Sequence, residues 1–255
     1  MSEYDNFNKQ YGQQRPPVYP GMGQQPYGGG YDQMSLDRRV SAVMKRVYVK
    51  MFLGLLVTAL VALWCASTPS VITFYASHSW VMWVLCAIEL GFVFAISGAV
   101  RKMNSSMATL LFYLFAVINA LMLFPIFLVY TGTSIAKTFF ITAGTFGAMS
   151  IYGYFTTQDL TKWGSFLFMA LIGLIICVVI NAFWANSTFD WIISILGVLI
   201  FVGLTAWDTQ QIKTIAMNAP SEATSVLSTQ GALMLYLDFI NLFIYLLRFF
   251  GNQRD

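Results

Sequence analysis

Seven long apolar stretches follow one another along the chain, separated by short polar breaks. They lie at about residues 51–66, 80–100, 107–130, 136–156, 163–184, 191–210 and 231–250. Roughly 20 apolar residues form an α-helix long enough to cross a hydrocarbon core of about 30 Å. The connecting loops are mostly shorter than about 15 residues, so no further folded domain fits between the stretches. The pattern predicts seven transmembrane helices.

The first 37 residues do not share this pattern. Residues 1–37 are rich in Gln, Gly, Pro and Tyr, and they contain no apolar run long enough for the core of a signal peptide. We interpret them as a disordered cytoplasmic tail, either a simple tether or a polyproline II ligand for a partner. The transmembrane domain then covers residues 38–255. An amphipathic segment from Leu36 to Lys50, which Ser35 or Asp37 can cap, leads into it.

Proline and small residues mark further local features of the predicted helices. The pair Thr68-Pro69 ends the first span, because the residue before proline is disfavoured in a helix. Pro125 should kink the third span, since proline removes one helical hydrogen bond. In the fourth span, small residues favour close packing against another helix. These residues are Ala143, Gly144, Gly147 and Ala148.

Composition agrees with a membrane protein and excludes an ordinary soluble one. Of the 255 residues, 58% are hydrophobic and 10% are charged, whereas soluble domains average about 45–50% apolar and about 25% charged. The same values exclude disorder as the general state of the chain. A formal net charge of +3 is small for a nucleic-acid-binding protein, so we expect no nucleic-acid partner.

The placement of the cations predicts the orientation in the membrane. With the N-terminus inside, eleven of the 14 Lys and Arg residues fall on the inner side, and only Lys137, Arg248 and Arg254 fall outside. The positive-inside rule therefore predicts a cytoplasmic N-terminus. Two of the three outer cations follow the last span. A re-entrant seventh segment, which would return the C-terminus to the cytoplasm, stays open for this reason.

Three acidic residues lie within the predicted spans: Glu89, Asp208 and Asp238. An ionisable side chain in hydrocarbon is costly unless it faces protein or water and has a partner. Glu89 lies near the middle of the second span. It is either a protonated carboxyl bonded within the bundle or a residue on an ion path.

Helix geometry brings the two aspartates to a similar depth. Asp208 lies seventeen residues after Trp191, about 25 Å along the sixth span towards the inner side. The seventh span runs the opposite way, and Asp238 is its eighth residue from Gly231, about 10 Å from the same side. Each aspartate belongs to a polar stripe with helical spacing. One stripe comprises Asp238, Asn241, Tyr245 and Arg248, and the other Ser194, Gly197, Thr205, Asp208 and Gln211.

This placement predicts a proton-sensitive pair. Two carboxylates close together in low dielectric cannot both ionise easily, so Asp208 and Asp238 should share a proton. When both ionise, repulsion replaces the hydrogen bond, and a divalent cation, which prefers carboxylate oxygens, can occupy the gap. Arg101, at the inner end of the second span, has a stem long enough to reach this layer. The alternative is that Asp208 ends its helix in water while Asp238 has a structural role.

Enzyme signatures are missing, so the sequence predicts a protein that is not an enzyme. There is no G-x-S-x-G motif, no histidine within a span and no zinc ligand set. Intramembrane aspartyl proteases also place one aspartate on each of two neighbouring helices. Their motifs resemble Y-D, G-x-G-D and P-A-L, whereas this chain reads Ala206-Trp207-Asp208 and Tyr236-Leu237-Asp238 with no P-A-L after the second aspartate.

The C-terminal run from Leu235 to Gly251, LYLDFINLFIYLLRFFG, resembles the signature of the Bax inhibitor-1 family. Two further segments are similar to that family: WDTQQIK, from Trp207 to Lys213, and LFPI, from Leu123 to Ile126. The resemblance covers about Lys45 to Gly251, and the chain looks like a bacterial-type member.

The resemblance implies an all-α membrane protein in which six of seven transmembrane helices surround a central C-terminal helix. It also implies a calcium leak under proton control. Asp208 and Asp238 match the family's proton-sensing and gating pair, Arg101 or Lys102 matches a cation that latches the pair, and Glu89 matches an acidic residue of the second helix.

Two functional hypotheses follow. The first is a pH-sensitive, calcium-permeable leak channel, with Glu89 and Asn241 on the ion path and calcium as the permeant ion or a weak ligand of the aspartate pair. Its partners would be the lipid bilayer, calcium and protons, with no cofactor. The second is a regulatory multi-pass protein that modulates another membrane protein, such as a protease or a cell-death or stress factor. We expect an integral protein of a bacterial inner membrane in either case.

Overall fold

A computed structural model describes residues 29–99, 104–219 and 224–254, with side chains omitted for residues 29–33 and 95–99. These residues form eight α-helices, and their single β-bridge joins Tyr130 to Gln253. The helices are α1 Gly29–Ser67, α2 Pro69–Ser77, α3 Trp80–Ala99, α4 Ser105–Val129, α5 Gly132–Phe155, α6 Thr161–Trp184, α7 Ser187–Asn218 and α8 Thr224–Phe250. The chain divides into two units after Asp37. Residues 1–28 lie outside the described part, and the packing below concerns Arg38–Asp255.

Five of these helices are long and apolar enough to cross a membrane: α1 from Met34, α4, α6, α7 and α8. A sixth span is added if α2 and the part of α3 up to Phe94, bent by 96°, count as one. The predicted fourth span corresponds to α5, whose buried face carries the hydroxyl side chains of Ser134, Thr138, Thr142 and Ser150. The all-helical, multi-pass architecture is confirmed, whereas the number seven stays a prediction.

Helix α8 is buried on several sides by its neighbours. The ring of Tyr236 packs edge-on against Phe112 and Phe115 of α4, with centroid separations of 5.7 and 5.9 Å. Phe239 meets Phe139 and Phe146 of α5 at 5.5 and 5.4 Å. On the side of α7, Gly197 lies so close to Tyr245 that a Cβ would come within 2.6 Å of its ring. These contacts fix the rotation of α8 about its axis.

Outward-facing surfaces are apolar. Trp83 and Phe94 of α3 are 75% and 74% exposed, and Phe183 at the end of α6 is 84% exposed. Water would penalise so much exposed apolar area, whereas lipid tails match it. This surface is that of a protein embedded in a bilayer.

Three helix boundaries differ from the sequence-based expectation. Helix α1 begins at Gly29 rather than after Ser35 or Asp37, α7 continues past Gln210 to Asn218, and α8 begins at Thr224 rather than Gly231. In the polar start of α8, the Ser228 and Thr229 hydroxyls find a partner within the helix, because they donate to Ser225 O at 2.7 and 3.3 Å.

The longer helices place both aspartates well away from the ends of their helices. Asp208 lies ten residues before the end of α7, about 15 Å along the axis, and Asp238 lies fourteen residues after the start of α8, about 21 Å. The shared depth of the two aspartates in the membrane stays a prediction.

The C-terminus is attached to the turn between α4 and α5. Helix α8 is unbroken over 27 residues, about 40 Å. Beyond it, Arg254 N donates to Val129 O at 2.8 Å, and Thr131 N donates to Asn252 O at 3.2 Å. The end of α8 therefore lies at the α4–α5 turn, opposite its own start, and the re-entrant alternative is wrong.

Close helix packing occurs at glycines other than the ones predicted. A Cβ added at Gly144 or Gly147 would meet no atom within 4 Å, so the expectation of tight packing there was wrong. By contrast, a Cβ at Gly153 of α5 would overlap the backbone carbonyl of Ala206 in α7. The contact between α5 and α7 therefore depends on the absence of a side chain at this position.

We predict that Gly153→Ala lowers the free energy of unfolding by about 1–3 kcal/mol, because backbone atoms of α7 must move away. Gly144→Ala is the matched control. It should be neutral or stabilising by up to about 1 kcal/mol, because alanine favours the helix and meets open space. Thermal unfolding of both variants in detergent tests this, and equal stabilities would contradict the packing described here.

Candidate functional site

Asp208 of α7 and Asp238 of α8 meet inside the bundle. Asp208 is 7% exposed and Asp238 is 4% exposed. Their carboxyl groups lie close enough for each to act on the other. The two residues therefore meet across neighbouring helices, whereas the sharing of a proton between them stays a prediction.

The pair has more hydrogen-bond acceptors than donors. Oδ1 of Asp208 and Oδ2 of Asp238 are buried, with no hydrogen-bond partner among the described residues. One turn beyond Asp208, Oε1 of Gln211 is also buried without a partner in this part of the chain. Ionised carboxylates can only accept, so two that face each other need a proton or a cation between them. The site is therefore chemically suited to bind a proton or a cation.

Hydroxyl groups hold the α7 side of the site. Thr209, next to Asp208, donates to Thr205 O at 2.8 Å and to the Ser150 hydroxyl of α5 at 3.5 Å. Ser194, Gly197 and Thr205 of the predicted stripe are all buried. The alternative that Asp208 ends its helix in water is wrong, because α7 continues for ten more residues and covers the carboxyl.

The carboxylate oxygens of Asp208 and Asp238 do not form a complete calcium site by themselves. Among residues 29–99, 104–219 and 224–254, no group of three or more His, Cys, Asp or Glu side chains could hold a metal ion. Calcium prefers six to eight oxygen ligands, and two carboxylates supply at most four. The geometry suits proton sharing or transient cation contact better than tight coordination.

A second polar cluster links Glu89 to α8 on the face away from Asp238. Asn119 Nδ2 of α4 donates to Glu89 Oε1 at 2.6 Å, and Tyr236 OH donates to Asn119 Oδ1 at 3.1 Å. The Tyr236 hydroxyl also lies 2.7 Å from Thr58 Oγ1 of α1. We call these four residues the Glu89 chain. It joins α1, α3, α4 and α8 in the membrane interior.

Sequence reasoning singled out Glu89 but missed its three partners. Asn119 and Thr58 each stand inside an otherwise apolar run, and a polar residue in such a run signals a hydrogen bond between helices. Tyr236 lies two residues before Asp238, which puts it on a different face of the same helix.

Other predicted site residues lie apart from both clusters. Asn241 Nδ2 donates to Leu237 O of its own helix at 2.8 Å and is half-buried. Arg248, the last residue of the stripe, pairs with Asp190 at 3.3 Å near the far end of α8. Arg101 and Lys102, the latch candidates, lie outside the described residues.

Lys50 lies inside the bundle rather than at the surface. Its Nζ donates to Thr229 Oγ1 of α8 at 2.6 Å and to Thr109 Oγ1 of α4 at 3.1 Å. Close by, the hydroxyls of Ser105 and Ser225 form a hydrogen bond. Lys50 therefore joins α1 to the starts of α4 and α8.

Comparisons with known proteins show the family of this chain. Residues 40–255 match the family model described as inhibitor of apoptosis-promoting Bax1. The chain is 44% identical over 214 residues to the inner membrane protein YbhL of Escherichia coli K12, covering 83% of this chain and 92% of that one. It shows the same identity and coverage with a protein of Borreliella burgdorferi. With protein RP147 of Rickettsia prowazekii it is 41% identical over 222 residues, covering 87% and 94% of the two chains.

We predict that Tyr236→Phe destabilises the protein by about 1–3 kcal/mol, because it leaves the buried Asn119 carbonyl without its donor. Tyr113→Phe is the matched control, because the half-buried Tyr113 hydroxyl makes no hydrogen bond to the described residues and should contribute little. Unfolding in detergent compares the two. Equal losses would show that the Glu89 chain is not a stabilising network.

We predict that stability falls as pH rises through the ionisation of the aspartate pair. The folded chain keeps a proton there that the unfolded chain releases, so raising the pH favours unfolding by up to about 1.4 kcal/mol per pH unit. Asp238→Asn supplies an N–H donor at every pH and should flatten this dependence. Asp159→Asn, in the exposed α5–α6 loop, is the control. Thermal unfolding between about pH 5 and 9 measures both, and a wild-type curve that Asp238→Asn leaves unchanged would contradict proton sharing.

Proposed function

The chain belongs to the Bax inhibitor-1 family of membrane proteins, and we propose that it is a pH-sensitive, calcium-permeable leak channel gated by Asp208 and Asp238. The observation that carries the proposal is the pair of buried carboxyls with unpartnered oxygens. Such a pair changes its interaction from attraction to repulsion when a single proton leaves.

The gate works through the contact between α7 and α8. With one proton shared, the carboxyls attract each other and the helices stay together. When the proton leaves, two charges face each other in low dielectric and push the helices apart. Among the described residues, the group that acts electrostatically on Asp238 is Asp208. Acid therefore favours the closed state, and alkaline pH favours the open one.

Calcium is the cargo in this mechanism rather than a resident cofactor. Glu89, held by Asn119, supplies a carboxylate within the membrane, and Asn241 lies one turn after Asp238 on α8. We place both on the ion path. The ionised aspartates attract the cation without completing a tight site, which lets it leave again. In this proposal Arg101 latches the ionised pair, and Arg101→Ala should shift the pH dependence of the flux.

The arrangement in the membrane belongs to the same proposal. Six spans surround α8, the N-terminus is cytoplasmic by the positive-inside rule, and the membrane is a bacterial inner membrane. The printed name of the E. coli relative as an inner membrane protein supports this location.

Calcium flux into liposomes tests the gate. We predict that wild-type flux rises with pH between about pH 5 and 9, by up to about tenfold per unit for one proton. The double variant Asp208→Asn/Asp238→Asn should lose this dependence, whereas Asp159→Asn should keep it. If calcium flux through the double variant depends on pH as it does in wild type, the proposed gate is contradicted. An absence of flux at every pH would instead favour a protein that regulates another membrane protein.

A second experiment separates the ion path from structure. Glu89→Gln keeps an acceptor for Asn119 but removes the charge, so we predict a flux lower by roughly tenfold with little change in stability. Asn119→Leu removes the hydrogen bonds and should cost about 1–3 kcal/mol of stability. If Glu89→Gln leaves the flux unchanged, Glu89 is structural and does not lie on the path.

A further inference from the structure

A lateral groove separates α1 from α5 on the side of the membrane where α1 starts. It is a cavity of about 630 Å³ that opens towards lipid. Its walls and floor include Ser41, Tyr48 and Phe52 of α1, Gly147 and Tyr154 of α5, and Phe239 of α8. Since a Cβ at Gly147 would meet nothing within 4 Å, the groove is open at this point. In a bilayer, such an apolar space must contain something apolar.

Two lysines neighbour residues that line the groove near the start of α1. Lys45 is exposed and lies between Ser41 and Tyr48 on the same helix face, four residues after one and three before the other. On the opposite wall, Lys213 Nζ donates to Tyr154 O at 2.7 Å and lies 4.9 Å from the Tyr154 ring centroid. A lysine has three donors, so this bond does not exhaust it. The end of the groove is suited to an anionic group.

The length of the groove matches one leaflet. From Ser41 to Leu55 it extends over fourteen residues of α1, about 21 Å, whereas half of a hydrocarbon core is about 15 Å. The remainder reaches the headgroup layer. A groove that runs along α1 over this length and opens to lipid is suited to an extended acyl chain.

We propose that the groove binds one anionic phospholipid, with its phosphate against Lys45 and Lys213 and one acyl chain along α1 and α5 as far as Phe239. The acyl chain then contacts α8 directly at Phe239 and lies next to α7 through Ser150 of α5. Phe239 follows Asp238 directly, and Ser150, which also lines the groove, bonds with Thr209 beside Asp208. Binding itself does not depend on conduction.

A larger side chain placed in the groove tests whether a lipid occupies it. We use native mass spectrometry of the full chain in detergent with added phosphatidylglycerol or phosphatidylcholine. Wild type should retain one phosphatidylglycerol. Gly147→Leu projects into the groove and should lose it, whereas Gly144→Leu, which makes the same change outside the groove, should retain it. Thermal unfolding confirms that both variants fold. Equal retention by the two variants would overturn the proposal.

Removing the cations tests the headgroup. Lys45→Gln/Lys213→Gln should weaken phosphatidylglycerol binding by about 30-fold, because each cation near an anionic lipid contributes about a fivefold factor. Lys137→Gln/Lys162→Gln removes two exposed charges away from the groove and should bind like wild type. Equal binding of phosphatidylglycerol and phosphatidylcholine by wild type would overturn the anionic assignment. Phosphatidylglycerol binding that appears only after deletion of residues 1–28 would assign the groove to that segment and overturn the proposal as well.

Discussion

Two carboxyl groups that face each other away from water impose the main constraint on this protein. Neither can donate when both are ionised, so the contact between α7 and α8 depends on a proton or a cation between Asp208 and Asp238. The rest of the interface accommodates this contact. Gly197 allows the ring of Tyr245 to come close, and Thr209 bonds to Ser150 of α5. In the proposed gate, a rigid surround would turn the loss of one proton into a movement of helices rather than a local adjustment.

Helix α8 is held differently on its two faces. On the Tyr236 face, the Glu89 chain provides a donor for each acceptor along the row from Thr58 to Glu89. On the Asp238 face, buried oxygens lack partners among the described residues. A satisfied network keeps its geometry, whereas an unsatisfied one changes with protonation. Movement should therefore occur between α8 and α7, while α8 keeps its contacts with α1 and α4.

The sequence predicted the helical class, the end of α1 at Thr68-Pro69 and the meeting of Asp208 with Asp238, because apolar run length and helical spacing carry this information. It could not predict the end of α7 or the start of α8, since both helices continue into polar segments outside the apolar runs, and the hydroxyls of Ser228 and Thr229 there bond within the helix. Gly144 and Gly147 suggested tight packing, yet they line open space, because composition does not say which face of a helix meets a neighbour. The hydrogen bonds of Asn119 and Thr58 could not be predicted, because they depend on how four helices lie relative to one another.

The proposed gate requires that Asp208 and Asp238 share one proton and that they lose this proton together with their contact. Infrared difference spectroscopy of the protein in liposomes, titrated from about pH 5 to 9, measures this directly through the C=O band of a protonated carboxyl. We expect a carboxyl C=O band that disappears as one proton per chain is released. This band should be absent from the spectra of Asp208→Asn/Asp238→Asn. Identical spectra for wild type and the double variant across this range would contradict it.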